Sequence, residues 1–262
     1  MPIILHSAPA KRVAGGTVSV PDGTILFADG FETGDLSFTQ NSARWGGGKG
    51  TENVSVVSTY PYSGTYSARL RYVGTVTGGD GWSQLAFDLG ASFSEVTIRF
   101  KWRIPENYAH RGDSPGNNKL FRIWPDDGVG GEDGYGYREK VGASLFRGAS
   151  DSSSTLWGEW DDGVSGITAR GTPFTDFVSA SDFGTWADIE LYCKMPSAAN
   201  AANGIIRVTK SGIVALNMTD VNNWGSGAAR NFRYGYLMGW ANSGFTNTTD
   251  FYIDDVSIVA AP

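Results

Sequence analysis

Residues able to act on a charged polymer stand at alternate positions in two short stretches of this 262-residue chain. In Arg99-Phe100-Lys101-Trp102-Arg103 every second residue is a cation, and a strand would turn all three to one face. Such a ridge pairs with carboxylates or sulfates. In Asp188-Ile189-Glu190-Leu191-Tyr192-Cys193-Lys194 the same spacing sets Tyr192 and Lys194 beside two acids. A tyrosine hydroxyl next to Lys194 or Arg103 offers a proton acceptor or donor with a neutralising cation. Elimination next to a uronate carboxylate needs both. The alternative is a solvated outer face on which Asp188 and Glu190 neutralise the ridge.

Nine tryptophans add a second kind of chemistry, because an exposed indole stacks on the apolar face of a sugar ring. Trp102 and Trp186 sit in core-like patterns. Trp45, Trp82, Trp157, Trp160 and Trp224 sit among glycines and polar residues, a loop-like context, and Trp160 is the candidate for ligand contact. Carboxylates gather at the two ends: Asp29 and Glu32 near the start, Asp254 and Asp255 near the finish. If the first and last strands pair, the four approach one another. Strand alternation puts Asp254 on one face with Tyr252, Val256 and Ile258, a core pattern. An inward carboxylate needs compensation, for which Ca²⁺ and its hard oxygen ligands are one solution and turn caps or surface ion pairs the other.

The elements that must hold these residues read as strands. Period-two alternation runs through 66–73, 84–89, 96–103 and 187–195, and strands also fit 25–27, 54–58, 119–124, 205–209, 213–217, 234–238 and 251–259. Glycine-rich turns separate them, and 36 glycines are about twice the usual ~7% share. No helical pattern exceeds two turns. Many short strands punctuated by turns predict an all-β, antiparallel two-sheet jelly-roll sandwich, and roughly 200–250 residues of this kind commonly form one domain. Residues 1–24, broken by Pro2, Pro9 and Pro21 and by Gly15-Gly16, read as an extended N-terminal arm on a domain at 25–262.

Composition removes several classes. One cysteine, Cys193, excludes an internal disulfide framework, and two histidines exclude a histidine-rich zinc site. A net charge of −6 opposes general nucleic-acid binding, and no apolar run reaches the ~18–20 residues of a membrane helix. The first residues lack a basic leader and apolar core, so no secretory signal is read there. His110 falls in a loop. Arg111-Gly112-Asp113-Ser114-Pro115 reads as a polar turn, and the acids Asp126, Asp127, Glu132 and Asp133 lack EF-hand spacing.

Two ends and a middle carry a resemblance. Phe27-Ala28-Asp29-Gly30-Phe31-Glu32-Thr33-Gly34 opens the body and Tyr252-Ile253-Asp254-Asp255-Val256 closes it. Trp186-Ala187-Asp188-Ile189-Glu190-Leu191-Tyr192-Cys193-Lys194 and Asn203-Gly204-Ile205-Ile206-Arg207-Val208 lie between them, followed by Thr219-Asp220-Val221. The chain resembles the concanavalin A-like lectin/glucanase jelly rolls, with a polysaccharide-lyase-like middle. The resemblance implies a saccharide lying along one concave sheet and a structural Ca²⁺ near Asp29, Glu32, Asp254 and Asp255. It implies carbohydrate contacts from Arg99, Lys101, Arg103, Tyr192, Lys194 and Trp160.

The glutamine–x–histidine strand of the alginate-lyase pattern is missing. Glu159-Trp160-Asp161-Asp162-Gly163-Val164 departs from the glucanase E-x-D-x-x-E at Val164, so it reads as an acidic turn. The expectation is therefore a non-catalytic carbohydrate-binding or structural protein displayed on a larger assembly, such as a phage virion decoration or appendage. The arm would dock to subunits of that assembly or to further copies of the chain. The protein would lie outside the cell or on a virion surface. The alternative is a polysaccharide lyase acting on an anionic glycan through Tyr192, Lys194 and Arg103.

Overall fold

Alternating apolar residues find partners in two eight-stranded antiparallel sheets. The computed structural model describes residues 24–46, 48–75, 78–111, 117–125, 139–161, 167–225, 231–242 and 244–261. The expected arm, apart from Thr24, lies outside the described residues, as do 112–116 and the acidic stretch 126–133. Sixteen strands follow in order: β1 (Thr24–Asp29), β2 (Thr39–Gln40), β3 (Ala43–Trp45), β4 (Val54–Val57), β5 (Ser67–Tyr72), β6 (Gly81–Phe93), β7 (Glu95–Arg103), β8 (Asn117–Pro125), β9 (Val141–Arg147), β10 (Ser154–Asp161), β11 (Ile167–Val178), β12 (Trp186–Lys194), β13 (Gly204–Lys210), β14 (Ile213–Val221), β15 (Phe232–Ala241) and β16 (Thr249–Ala261). Only two single 3₁₀ turns interrupt them among the described residues.

The first sheet runs β14-β13-β12-β7-β16-β5-β4, with β1 added to β16; the second runs β11-β10-β9-β8-β15-β6-β3-β2. Val96, Ile98, Phe100 and Trp102 of β7 and Ile189, Leu191 and Cys193 of β12 point inward from the first sheet. Leu85, Phe87 and Leu89 of β6, Phe121 and Ile123 of β8 and Leu237 of β15 meet them from the second. Trp102 is fully buried and stacks on Phe251 at 5.9 Å, so the aromatic payload sits at the centre of the sandwich.

Strand β16 carries an irregularity that matters below. Asp254 pairs with Lys101 but Ser257 pairs with Arg99, so β16 holds one residue more than β7 across this step. Asp255 takes a left-handed φ of 46° there, the mark of a β-bulge. The bulge corrects the sequence reading of Asp254. Phe251 and Ile253 face the core before it, Val256 and Ile258 after it, and Asp254 faces outward with Tyr252.

Three other expectations change. Glu159-Trp160-Asp161 is strand rather than an acidic turn, because β9 and β11 pair with it on both sides. Trp186 faces outward, since its neighbour Ala187 takes the inward position opposite Trp102. Trp45, Trp82 and Trp157 lie on β3, β6 and β10 rather than in loops.

Gly235 of β15 is flanked closely by β6 and β8 of its own sheet. A Cβ there would overlap the buried ring of Phe87 and come within 2.7 Å of the Arg122 carbonyl oxygen. Gly235→Ala should therefore destabilise the fold by about 1–3 kcal/mol, the usual range for overpacking, as read from the midpoint of urea unfolding.

Candidate functional site

The predicted ridge exists, on the outward face of the first sheet, and every member is engaged. Arg99 pairs with Glu190 at 2.7 Å, Lys101 with Asp188, Arg103 with Glu106 at 2.5 Å and Lys194 with Glu95 at 2.7 Å. The Tyr192 hydroxyl donates to Glu95 at 2.9 Å, and burial together with that carboxylate pushes its pKa up to about 12. Lys101 is held above its ordinary value, chiefly by its bond to Asp188. Trp160 is not on this face: it belongs to the second sheet and packs inward against the core.

The four terminal carboxylates accept hydrogen bonds from the chain itself. Asp29 accepts from the Phe31 N–H at 2.7 Å and the Trp45 indole N–H at 2.6 Å. Glu32 accepts from the N–H groups of Thr65 and Tyr66, both at 3.0 Å, which hold its carboxyl below the usual range. Asp254, fully buried, accepts from the N–H groups of Tyr62 and Ser63 at 2.8 and 3.2 Å, and Asp255 accepts from the Ser63 hydroxyl at 2.8 Å. Three of the four thus tie residues 62–66 to the sheet. Among the described residues no three His, Cys, Asp or Glu side chains converge as a cation cage.

The outward face of the second sheet is different, because its polar side chains are buried. Arg122 of β8, Ser144 of β9, Glu159 of β10 and Tyr236 of β15 point outward from adjacent strands and are each less than 7% exposed. These outward side chains form a buried polar layer, called the recess below. Arg122 lies flat across its neighbours: it donates to the carbonyls of Phe121 and Ala143 at 2.9 and 3.2 Å, to the Ser144 hydroxyl at 3.0 Å and to Glu159. Gly142 makes room for it, since a Cβ there would stand 2.6 Å from the guanidinium. Tyr236 sits directly opposite Arg122, and Trp124 opposite Tyr234.

Two lysines join this recess. Lys119 is 7% exposed, donates to Asn242 at 3.3 Å and lies over the Trp240 ring. Burial first, then the Arg122 and Lys140 cations, pull its pKa down to about 6. Lys140 is lowered in the same way, by burial and by Arg122. Burial pushes Tyr236 up to about 12 against the opposing pull of Arg122. Trp240 stacks face to face on Trp82 at 5.2 Å and 7°, forming an aromatic platform beside Lys119. The recess therefore holds an amine whose ammonium form is disfavoured, a hydroxyl that stays protonated, a fixed guanidinium and a stacked pair of indoles.

At the start of β10, Tyr108, His110 and Ser154 bond to one another, with Tyr108 Oη to Ser154 Oγ at 2.5 Å and both oxygens 2.8 Å from His110 Nε2. Ser154 is wholly buried, so the group satisfies polar atoms inside the sandwich rather than offering a nucleophile. Burial lowers the His110 pKa to about 4.

Sequence alone presents Lys119, Arg122 and Tyr236 only as strand residues and Glu159 as part of an acidic turn. A usable signal was present: Lys119, Arg122 and Trp124 are polar or amphipathic residues within an apolar strand, and Tyr234 and Tyr236 alternate.

No protein-family model matches the chain, and no curated protein matches it. Solved structures do share the fold. The alginate lyase vAL-1 from Chlorella virus superposes with a TM-score of 0.59 at 13% identity, covering 91% of this chain and 100% of the other. The endo-β-1,4-glucuronan lyase of the fungus Trichoderma reesei gives 0.56 at 17% identity, over 83% and 94%. A Bacteroides ovatus mixed linkage glucan GH16 protein gives 0.52 at 13% identity, over 90% and 100%. The chain shares the jelly-roll sandwich of these structures, as the strand pattern and the two ends of the sequence implied.

Two stability effects follow from these clusters. The Arg122–Glu159 pair is buried on both sides, so Glu159→Ala, which strands the guanidinium, should cost about 3–5 kcal/mol in chemical denaturation, with partial recovery in Glu159→Ala/Arg122→Met. His110 has a lower pKa folded than unfolded, so the unfolded state binds the extra proton between the two values. Its contribution is intact above about pH 6.5 and falls away toward pH 4, by roughly 3 kcal/mol in total. Unfolding free energies measured from pH 7 to pH 4 should show this loss, and His110→Gln should show less of it.

Proposed function

We propose that this chain acts on an acidic polysaccharide in the recess of the second sheet and cleaves it by β-elimination. The observation that carries the reading is the convergence of Arg122, Lys119 and Lys140 with Tyr236 on one buried face of a protein whose net charge is −6. A uronate carboxylate is an anion carried on a sugar ring, and a face that gathers three cations attracts one. The company of the fold supports the substrate class: two of the structures sharing it are lyases, of alginate and of glucuronan. The Trp82–Trp240 platform supports a sugar ring stacked alongside.

The chemistry assigns roles. Lys119, neutral near pH 7, accepts the proton α to the substrate carboxylate at C5. The electron pair left at C5 forms the C4=C5 double bond, and the C4–O glycosidic bond breaks. Tyr236, protonated throughout the neutral range, donates its proton to the departing oxygen. Arg122, fixed by two carbonyls, Ser144 and Glu159, supplies a positive field without moving during the reaction. The product carries an unsaturated uronate at its new end.

This assignment departs from the sequence-level alternative, which gave the proton transfers to Tyr192 with Lys194 and Arg103. Those three are tied to Glu95 and Glu106 on the opposite sheet. Display on a virion rests on residues 1–24 and stays a reading of sequence alone.

Purified protein incubated with alginate, glucuronan and polygalacturonate, followed by ultraviolet absorbance of the unsaturated product, tests the reading. Product should form with at least one of them. Tyr236→Phe should lower the rate by roughly 10²–10⁴-fold, the usual weight of a general acid. The free-enzyme profile of kcat/KM should rise through about pH 6 as Lys119 deprotonates and then level. Absence of product from all three polymers would overturn the proposal.

A further inference from the structure

The outward face of the first sheet carries exposed aromatic rings on a rigid mount. Tyr60 and Tyr62 are about half exposed, at 48% and 46%, among the few large apolar side chains left open to solvent. Neither ring is loose. The Arg103 guanidinium lies 3.8 Å from the centroid of Tyr60, and Lys101 Nζ lies 4.3 Å from that of Tyr62. Tyr252 meets Tyr60 edge-on at 5.3 Å, and Trp186 meets Tyr62 at 5.7 Å. The backbone beneath is fixed by the buried Asp254, by Asp255 and by Glu32. Rings held open to water at this level of restraint present a preorganised stacking surface.

Beside them lies a depression of about 260 Å³, lined by Arg99, Lys101, Asp188, Glu190, Thr209 and Asp255. Lys101 links the two features, since it lines the depression and faces Tyr62. The bulge supplies Asp255: at its left-handed φ the chain turns this carboxylate toward Ser63 and the depression instead of along the strand. The volume falls below the ~300–1,000 Å³ of pockets for drug-sized ligands, which suits one sugar ring. The lining offers both donors and acceptors, but its charges are paired, Arg99 with Glu190 and Lys101 with Asp188, and Asp255 adds a further negative charge. A polyanion gains nothing from such a lining. Vicinal hydroxyls, which donate to carboxylates and accept from cations at once, fit it well.

We infer that this face is a second saccharide site, separate from the recess of the second sheet, and that it takes a ring of a neutral β-linked polysaccharide through Tyr62 and the adjoining depression. β-Linked equatorial sugars present the flat C–H faces that tyrosine rings cover. The two faces are then chemically distinct, one for an acidic chain and one for a neutral chain, and the second site stands whether or not the recess is catalytic.

Isothermal titration of the full chain with cellohexaose and with xylohexaose tests the inference. At least one should bind saturably. Tyr62→Ala, which removes an exposed ring and leaves the backbone bonds to Asp254 in place, should weaken binding about tenfold, equivalent to about 1.4 kcal/mol. Thr209→Arg, which fills the depression from a surface strand, should weaken it at least as much. Tyr236→Phe should leave it unchanged, and Tyr62→Ala should leave any cleavage of polyuronates unchanged. Thermal unfolding of each variant separates loss of the site from loss of fold. Failure of both hexasaccharides to bind, or unaltered binding in both folded variants, would overturn the inference.

Discussion

The pairing of β16 is the constraint on which the first sheet depends. This last strand lies along β7 for nearly its whole length, and its other edge is shared between β5, at Thr249–Ile253, and β1, at 256–260. One strand thus joins β1, β5 and β7, all distant from it in sequence. The change of partner from β5 to β1 falls at Asp254 and Asp255, where neither takes a place in those two ladders. The bulge belongs at that junction because it absorbs the mismatch in register. The two acids freed there bind the backbone and side chain of residues 62–63, and Glu32, just after β1, accepts from the N–H groups of Thr65 and Tyr66. The geometry that lets three strands share β16 also builds the mount for the exposed tyrosines.

The two outward faces show how surroundings give one residue type opposite behaviour. Lys101 and Lys119 both project outward from central strands. Lys101 sits beside Asp188 near solvent, and its charge is favoured. Lys119 sits in the recess near Arg122 and Lys140, and its charge is disfavoured by desolvation and by repulsion. The first lysine can only hold a partner; the second can exchange a proton near neutrality. Counting cations along the chain favours the first face, because charge spacing is visible in sequence and depth is not.

That difference explains what was legible. Strands at 66–73, 84–89, 96–103 and 187–195 were readable because one face of each is apolar, so period two survives in the residue types. Pairing of the first and last strands was readable from the acidic signatures at both ends. β9 and β10 were missed because glycine, serine and glutamate fill the positions that pass under or beside Arg122: Gly142 yields space, while Ser144 and Glu159 satisfy its N–H groups. A strand built around a buried ion loses the alternation that betrays a strand built around a core. The recess escaped the sequence for the same reason, since its side chains come from four strands that are adjacent only after folding.

The Arg122–Glu159 pair then bears on the chemistry as well as on the fold. Replacing such a buried pair by apolar residues commonly leaves stability unharmed, so its energetic contribution does not explain its presence. What the pair provides here is a guanidinium with one carboxylate and two carbonyls on its inner side. Glu159 cancels much of the charge at long range, which spares the sheet an isolated ion. At short range the field stays positive toward Tyr236 and Lys119, and both respond to it: the cation lowers Tyr236 from where burial alone would place it, and it lowers Lys119 further. One fixed cation therefore lowers the pKa of both groups, the tyrosine by favouring its anion and the lysine by disfavouring its ammonium form.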